Sequence, residues 1–399
     1  GKRVYVRRIN FAGNSKTRDQ VLRQEMRQIE GGWFSAEKVE RSRARLQRLG
    51  FFETVNVETP AVPGTTDQVD VNYSVTETPS GSISLGVGFA QSSGIILNGS
   101  ITQNNFLGTG RQLSTSLDTS SVNKMLSFSY TNPYYTLDGV SRGFGAYARQ
   151  TDANSANIAD YSTDAYGANV NYGFPISEFN AINFSFAAEH LKLKTGNDPS
   201  KEITDFIDKH GEDFTSVAMS GSWSHDSRNR RIFPGSGGLQ RLTFEAQIPG
   251  SELEYYKVAV KQQRYIPLTS LFTLAGKADV AYGDGYGDFD DLPFFENYFA
   301  GGVRSVRGFK DNTLGPRDDD GDPLGGSFRT VGNVEIVFPP PFLQDSKSVR
   351  MSAFFDIGNV FDGVDNFDTN DLRMSVGLGG TWMSPMGPLS ISIAQPLND

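Results

Sequence analysis

The sequence predicts an all-β transmembrane antiparallel barrel of the 16-strand type, with 15 strands present, preceded by a small α+β domain. Three observations predict it. Apolar and polar residues alternate from about residue 82 to the end, aromatic–proline pairs close every second connection, and charge and pattern both change near residue 80. The domains are accordingly placed at 1–80 and 81–399. Residues 1–78 carry 13 Lys+Arg against 10 Asp+Glu, whereas the remainder carries 24 against 36.

Composition narrows the field. With no Cys, disulfides, zinc–thiolate sites and thiol chemistry are all excluded. No run of about 18 apolar residues occurs, so no helical membrane span is expected. A spanning barrel alternates and therefore averages to a hydrophilic value, which the mean hydropathy of -0.38 fits. The aromatics are not interleaved with basic clusters, so nucleic acid is not an expected partner. Gly1 opens directly into Lys2-Arg3-Val4-Tyr5-Val6, as an excised fragment does, so the lack of a visible leader carries no information.

The first domain reads β-α-α-β-β. Val4-Tyr5-Val6 opens a strand that Gly13-Asn14 turns. Thr17 and Gln20 have capping-box spacing, followed by Val21, Leu22, Met26 and Ile29 at helical intervals up to Gly31-Gly32. Ser35 caps a second helix through Val39, Leu46 and Leu49, ending at Gly50. Phe52, Val55 and Val57 form one strand, and Val69, Val71, Tyr73 and Val75 another. The second helix also carries Arg41, Arg43, Arg45 and Arg48, which read either as a solvated basic face or as a docking face for an acidic protein surface.

Beyond residue 80 the alternation is clearest where Leu372, Met374, Val376, Leu378 and Trp382 oppose Arg373, Ser375, Gly377, Gly379 and Thr381. Fifteen such segments are expected, at about 82–90, 94–103, 110–119, 122–132, 139–152, 160–174, 179–194, 213–225, 237–248, 252–266, 270–283, 326–338, 348–360, 371–383 and 387–395. Alternation by itself suits a soluble sandwich equally well. The punctuation favours a membrane. Tyr130 before Pro133, Phe174-Pro175, Tyr265 before Pro267, Phe338-Pro339 and Trp382 before Pro385 place aromatics at one rim with short turns. The other rim has variable connections, including 195–212 and a long loop at about 284–325, and this asymmetry is an outer-membrane signature.

Successive strand side chains point to opposite faces, which puts Glu335 with Asn333 and Arg329, and Asp356 with Arg350 and Ser352, on polar faces. If that face lines a lumen, the long loop folded inward brings Val306-Arg307-Gly308-Phe309 to both acids. An arginine fork held by two carboxylates is a directional clamp. The bland alternative is three independent polar groups near water.

In Ile83-Ser84-Leu85-Gly86-Val87-Gly88-Phe89 the glycines either fit a crowded wall or weaken the strand. Asp318-Asp319-Asp320-Gly321-Asp322 places Gly at position 4 rather than the EF-hand's position 6, so a solvated acidic loop tip is expected instead of a calcium site. His190, His210 and His225 stand singly, and no Ser/His/Asp constellation occurs. No catalysis, metal or cofactor is expected.

Phe11-x-Gly13-Asn14-x-x-Thr17 and Leu49-Gly50-Phe51-Phe52 resemble the POTRA module of outer-membrane assembly proteins. The whole chain resembles the C-terminal part of the BamA family of outer-membrane assembly factors, its last POTRA domain plus the barrel. The matching stretches run in order: Asn104–Gly110, Thr131–Tyr134, Glu254–Lys257, Phe295–Gly302, Val306–Phe309, Phe354–Gly358 and Trp382–Pro388. Family members end on a further alternating strand closing with an aromatic, which Pro396-Leu397-Asn398-Asp399 lacks. The earlier POTRA modules are likewise absent.

The resemblance implies an outer-membrane location with the POTRA domain in the periplasm. It implies insertion and folding of β-barrel proteins, with unfolded clients, the periplasmic lipoproteins of the BAM complex and outer-membrane lipid as partners. It also implies a loop whose Arg307 meets the strand carboxylates in a structural role. A lateral seam is implied between the first strand, Ile83 to Phe89, and the last one present, with Leu389, Ile391 and Ile393. A pore exporting one partner protein and a passive porin remain the alternatives.

Overall fold

The structure is a computed structural model, and it describes residues 3–90, 93–196, 199–341, 348–384 and 387–398. The first domain follows the expected order: β1 (Tyr5–Ala12), α1 (Asp19–Gln24), α2 (Ala36–Arg48), β2 (Phe52–Glu58) and β3 (Gln68–Glu77). Its three-stranded sheet has the order β1-β3-β2, with β1 parallel and β2 antiparallel to the central β3. The fully buried Val6, Leu22, Leu46, Val71 and Tyr73 make its core.

Ser35 caps α2 as its position predicts, accepting a hydrogen bond from the Lys38 amide. Thr17 does not cap α1. The N-cap is Arg18, without a side-chain bond, and the helix ends at Gln24 instead of continuing to Ile29, which is 66% exposed. Tertiary contacts outcompete the local capping box. The Thr17 amide donates to Glu77 at 2.6 Å, and its hydroxyl accepts from Asn105 at 2.8 Å.

Among the described residues the second sheet contains 15 strands in strict meander order. These are β4 (Gly81–Ala90), β5 (Gly94–Phe106), β6 (Arg111–Thr119), β7 (Asn123–Asn132), β8 (Ser141–Asp152), β9 (Tyr161–Pro175), β10 (Asn180–Thr195), β11 (Asp213–Asp226), β12 (Gly237–Gln247), β13 (Tyr255–Pro267), β14 (Thr273–Gly285), β15 (Phe328–Phe338), β16 (Val349–Phe361), β17 (Arg373–Ser384) and β18 (Gly387–Pro396). Each expected segment has its strand. From β9 to β18 every pair is antiparallel and in regular register. One face carries exposed apolar rows, such as Leu85 at 86% and Ile393 at 80%, a surface that suits lipid and not water. Ring pairs Phe174–Phe184 and Phe272–Phe338 stand at the short-turn end.

Cα packing divides the chain into two units. One is 1–84 with 100–115 and 128–144; the other is 85–99, 116–127 and 145–399. Within the second unit, a helix that the alternation does not announce, α3 (Lys201–His210), lies in the 195–212 connection. Its Ile203, Phe206 and Ile207 pack with Tyr161, Leu193, Phe214, Tyr255, Phe289 and Phe294 into an apolar cluster at the long-loop end.

Candidate functional site

The long connection between β14 and β15 lies along the polar face of the second unit, and its backbone supplies the bend. Gly301, Gly302 and Gly308 all have positive φ, at +104°, +85° and +93°. Val306 is fully buried with Ala300, Leu314, Val331 and Val360. This apolar seat aims the next residue, Arg307, at the strands.

Arg307 reaches both predicted acids. Its Nε and Nη2 donate to the two Asp356 oxygens at 2.6 Å each, and Nη2 also donates to Glu335 at 2.8 Å. The Arg307 backbone amide donates to Asp356 at 3.1 Å. The Asp356 side chain is 0% exposed and that of Arg307 12%. Register explains the convergence. Asn333 pairs with Asp356, and Glu335 with Phe354, so the groups stand side by side on one face.

Three further residues complete the arrangement. Asn333 bridges strand and loop, donating to Asp356 at 2.8 Å and to the Ser305 carbonyl at 2.7 Å. The Arg307 guanidinium lies 3.4 Å over the Phe354 ring. Lys277 stands 3.5 Å from Glu335 and adds a second cation. Sequence reading placed Asn333 on the correct face but missed Phe354 and Lys277. Alternation does show all three on the polar side, and only register brings them to Arg307.

Phe354 needs space, and β17 provides it. A Cβ on Gly377 would sit 2.5 Å from the Phe354 ring and 2.2 Å from the Ile393 carbonyl oxygen. The loop also touches the last strand: a Cβ on Gly308 would lie 3.2 Å from Ala394 and 3.4 Å from Pro396. Clamp, glycine trough and β18 therefore form one packed assembly. Phe309 packs partly buried against the Val306 cluster.

The predicted seam residues lie at the two ends of the strand order, β4 and β18, and among the described residues these strands do not pair. Ile83, Leu85, Val87 and Phe89 are 65–86% exposed on β4, and Ile391 and Ile393 are 78% and 80% exposed on β18, with Leu389 at 47%. Ser84, Gly86 and Gly88 occupy the opposite face of β4. The two glycines differ: a Cβ on Gly86 would fall 2.0 Å from the Asn98 amide oxygen, whereas Gly88 has only Ile96 at 3.8 Å. Gly86 thus makes room for a side chain, and Gly88 has no such packing reason.

The four arginines of α2 are not a free basic face. Arg41 pairs with Glu37 and Arg43 with Glu40 along the helix. Arg45 turns inward to the buried Glu25 at 2.7 Å and donates to the Tyr134 hydroxyl at 2.7 Å. Tyr134 in turn donates to Glu25 at 2.6 Å. Burial, and then the Glu25 carboxylate, push the Tyr134 hydroxyl up to about 12. Arg41 and Arg48 stay exposed and keep the docking expectation open. Burial pushes the Glu77 carboxyl upward, but bonds from Thr17, Lys16 and Ser15 outweigh it and lower the group to about 2. The acidic tip is also partly folded: Asp318 is 7% exposed and accepts from the Asp322 amide at 2.7 Å, closing the turn on itself.

With this geometry in place, comparison with known proteins is decisive. The Omp85 superfamily domain model matches residues 105–399. The chain belongs to the Omp85 superfamily. Ahead of this Omp85 domain, residues 4–78 match the POTRA family, described as a surface antigen variable number repeat. The outer membrane protein assembly factor BamA of Neisseria meningitidis serogroup B is 35% identical across 100% of this chain and 55% of the relative. BamA of Nitratidesulfovibrio vulgaris is 28% identical across 100% of this chain and 49% of its own length. The Omp85 chain therefore spans about half the length of the curated relatives it matches. The crystal structure of BamA from Haemophilus ducreyi lacking POTRA domains 1–3 superposes with a TM-score of 0.89 at 33% identity, covering 100% of this chain and 82% of that one. The architecture is thus a POTRA domain followed by strands of an antiparallel transmembrane barrel.

Proposed function

We propose that this chain is the membrane part of a factor that inserts and folds β-barrel proteins in the bacterial outer membrane, with its POTRA domain in the periplasm. The observation that carries the reading is the match of the whole chain to relatives named outer membrane protein assembly factors, on a meander sheet whose first strand, β4, is bonded on its β5 side alone among the described residues. In lipid, each unmade backbone hydrogen bond costs several kcal/mol. An edge strand that offers those bonds to an incoming strand by β-augmentation lowers the barrier to insertion. No covalent step, cofactor or metal enters this mechanism.

Exposed rows of β4 keep the edge against lipid, and Gly88 loosens the strand without a packing role of its own. The Arg307 clamp serves as the tether of the loop, fixing it to β15, β16 and β18 while the edges stay available. Clients and assembly lipoproteins are the partners this reading implies.

The test is a disulfide trap. Ser84→Cys in β4 is combined with single cysteines along the terminal strand of a barrel client, and mixed disulfides are followed during reconstituted assembly. A ladder of register-specific adducts that disappears as the client matures is expected. Efficient client folding with no adduct at any position rejects the templating edge.

A further inference from the structure

The chain is acidic, with a formal net charge of -9, yet residues 227–241 contain Arg228, Arg230, Arg231 and Arg241 and no carboxylate. They form the β11–β12 turn at the short-turn end and the start of β12. The turn is closed by its own hydrogen bonds. Arg228 is consumed locally, donating to both oxygens of Asp226 at 2.9 and 2.8 Å. Asn229 accepts from the Gly235 amide at 3.0 Å, its own amide donates to the Ser236 carbonyl at 3.2 Å, and Phe233 holds a left-handed φ of +48°. Arg230, Arg231 and Ile232 project exposed from this frame.

The direction of the turn decides what they meet. The Phe233 ring lies 5.4 Å from the Arg350 guanidinium, and Arg350 shares the polar face of β16 with Ser352, Phe354 and Asp356. Gly235 stands beside Thr273, at the start of the polar face of β14. Arg241 shares the polar face of β12 with Glu245 and Gln247, where Lys261 is its cross-strand neighbour. The turn therefore leans toward the polar face and away from the lipid-facing row of Leu242, Phe244 and Val260. Nearby lysines are occupied: Lys261 pairs with Asp279 at 3.4 Å and Lys277 with Glu335 at 3.5 Å. Among the described residues Arg230, Arg231 and Arg241 have no ion-pair partner.

We infer that Arg230, Arg231 and Arg241 form a docking surface for an acidic stretch of polypeptide at the short-turn mouth of the sheet's polar side. Three guanidiniums without an ion-pair partner among the described residues, two on the turn and one at the start of β12, present planar forks suited to carboxylates. The exposed Ile232 adds an apolar contact beside them. Anionic lipid is the less favoured occupant because the turn is directed to the polar face. The surface is distinct from the β4 edge, so this inference stands or falls independently of strand templating.

The test uses the full chain in neutral-lipid nanodiscs and two fluorescent peptides of equal length, one Glu-rich and one with every Glu replaced by Gln, read by anisotropy. The Glu-rich peptide is expected to bind, to weaken as salt rises, and to outcompete the Gln peptide. Arg230→Glu with Arg231→Glu is expected to weaken binding roughly tenfold or more, the scale of two exposed charge pairs lost and reversed. Arg230→Gln with Arg231→Gln serves if the reversal does not fold, and heat-modifiable mobility checks folding in both. Equal binding of both peptides, or unchanged affinity in a folded variant, overturns the inference. So does a dependence on these arginines only when phosphatidylglycerol is in the nanodisc, which would assign the surface to lipid.

Discussion

Replacing Arg307 with alanine removes the fork that holds the loop to the strands. The variant loses both 2.6 Å bonds to Asp356, the 2.8 Å bond to Glu335 and the stacking on Phe354. What remains for Asp356, fully buried, is the backbone amide of residue 307 and Asn333. Removing one member of a buried, hydrogen-bonded ion pair costs about 3–5 kcal/mol, because the other charge is stranded away from water. Glu335 keeps Lys277 at 3.5 Å, which holds the loss toward the lower end of that range. The assay is urea unfolding of the membrane-reconstituted chain, read as the mobility difference between heated and unheated samples on gels. Arg307→Ala should lower the unfolding free energy by about 3–4 kcal/mol. Combined with Asp356→Asn, it should cost clearly less than the two single losses added together. A loss below about 1 kcal/mol, the scale of a solvated surface pair, would refute the buried-clamp argument.

Gly308→Val should destabilise by about 1–3 kcal/mol, since φ is +93° and a side chain meets Ala394 and Pro396; unchanged protease protection of β18 would contradict this. Tyr134→Phe removes the hydroxyl shared by Glu25 and Arg45, with an expected loss of about 1.5–3 kcal/mol in POTRA unfolding monitored by tryptophan fluorescence. Glu77 is held at about 2, below the ordinary carboxylate value of 4.5. A depressed folded-state value means its contribution is present above the unfolded value and fades as pH falls from about 4.5 toward 2. Glu77→Gln should therefore flatten the acid limb of POTRA stability in that window, and an unaltered acid limb would count against the Glu77 network.

Alternation made the barrel legible, because a strand's side-chain period of two is written directly into residues such as Leu372 to Trp382. It also assigned Glu335, Asn333 and Asp356 to the polar side. What it could not convey was register across strands, which brings Phe354 beside Glu335 and opens Gly377 beneath the ring. The loops were less legible still. The α3 helix derives its stability from Phe206 and Ile203 meeting Phe289 and Phe294, partners about 80–90 residues away. Thr17 shows the converse, a strong local signal overruled by Glu77 and Asn105.

Each neighbouring pair in the large sheet is adjacent in sequence, so hairpins can zip one after another with little loop entropy to overcome. Arg307 breaks that simple succession: every group it engages, from Glu335 through Asp356 to the strand touching Gly308, is synthesised after it. Its charge must wait, hydrated, until β15 and β16 have taken their places. Burial of one guanidinium thus marks the arrival of β15 and β16, and a chain stalled before β16 would still carry that arginine wet.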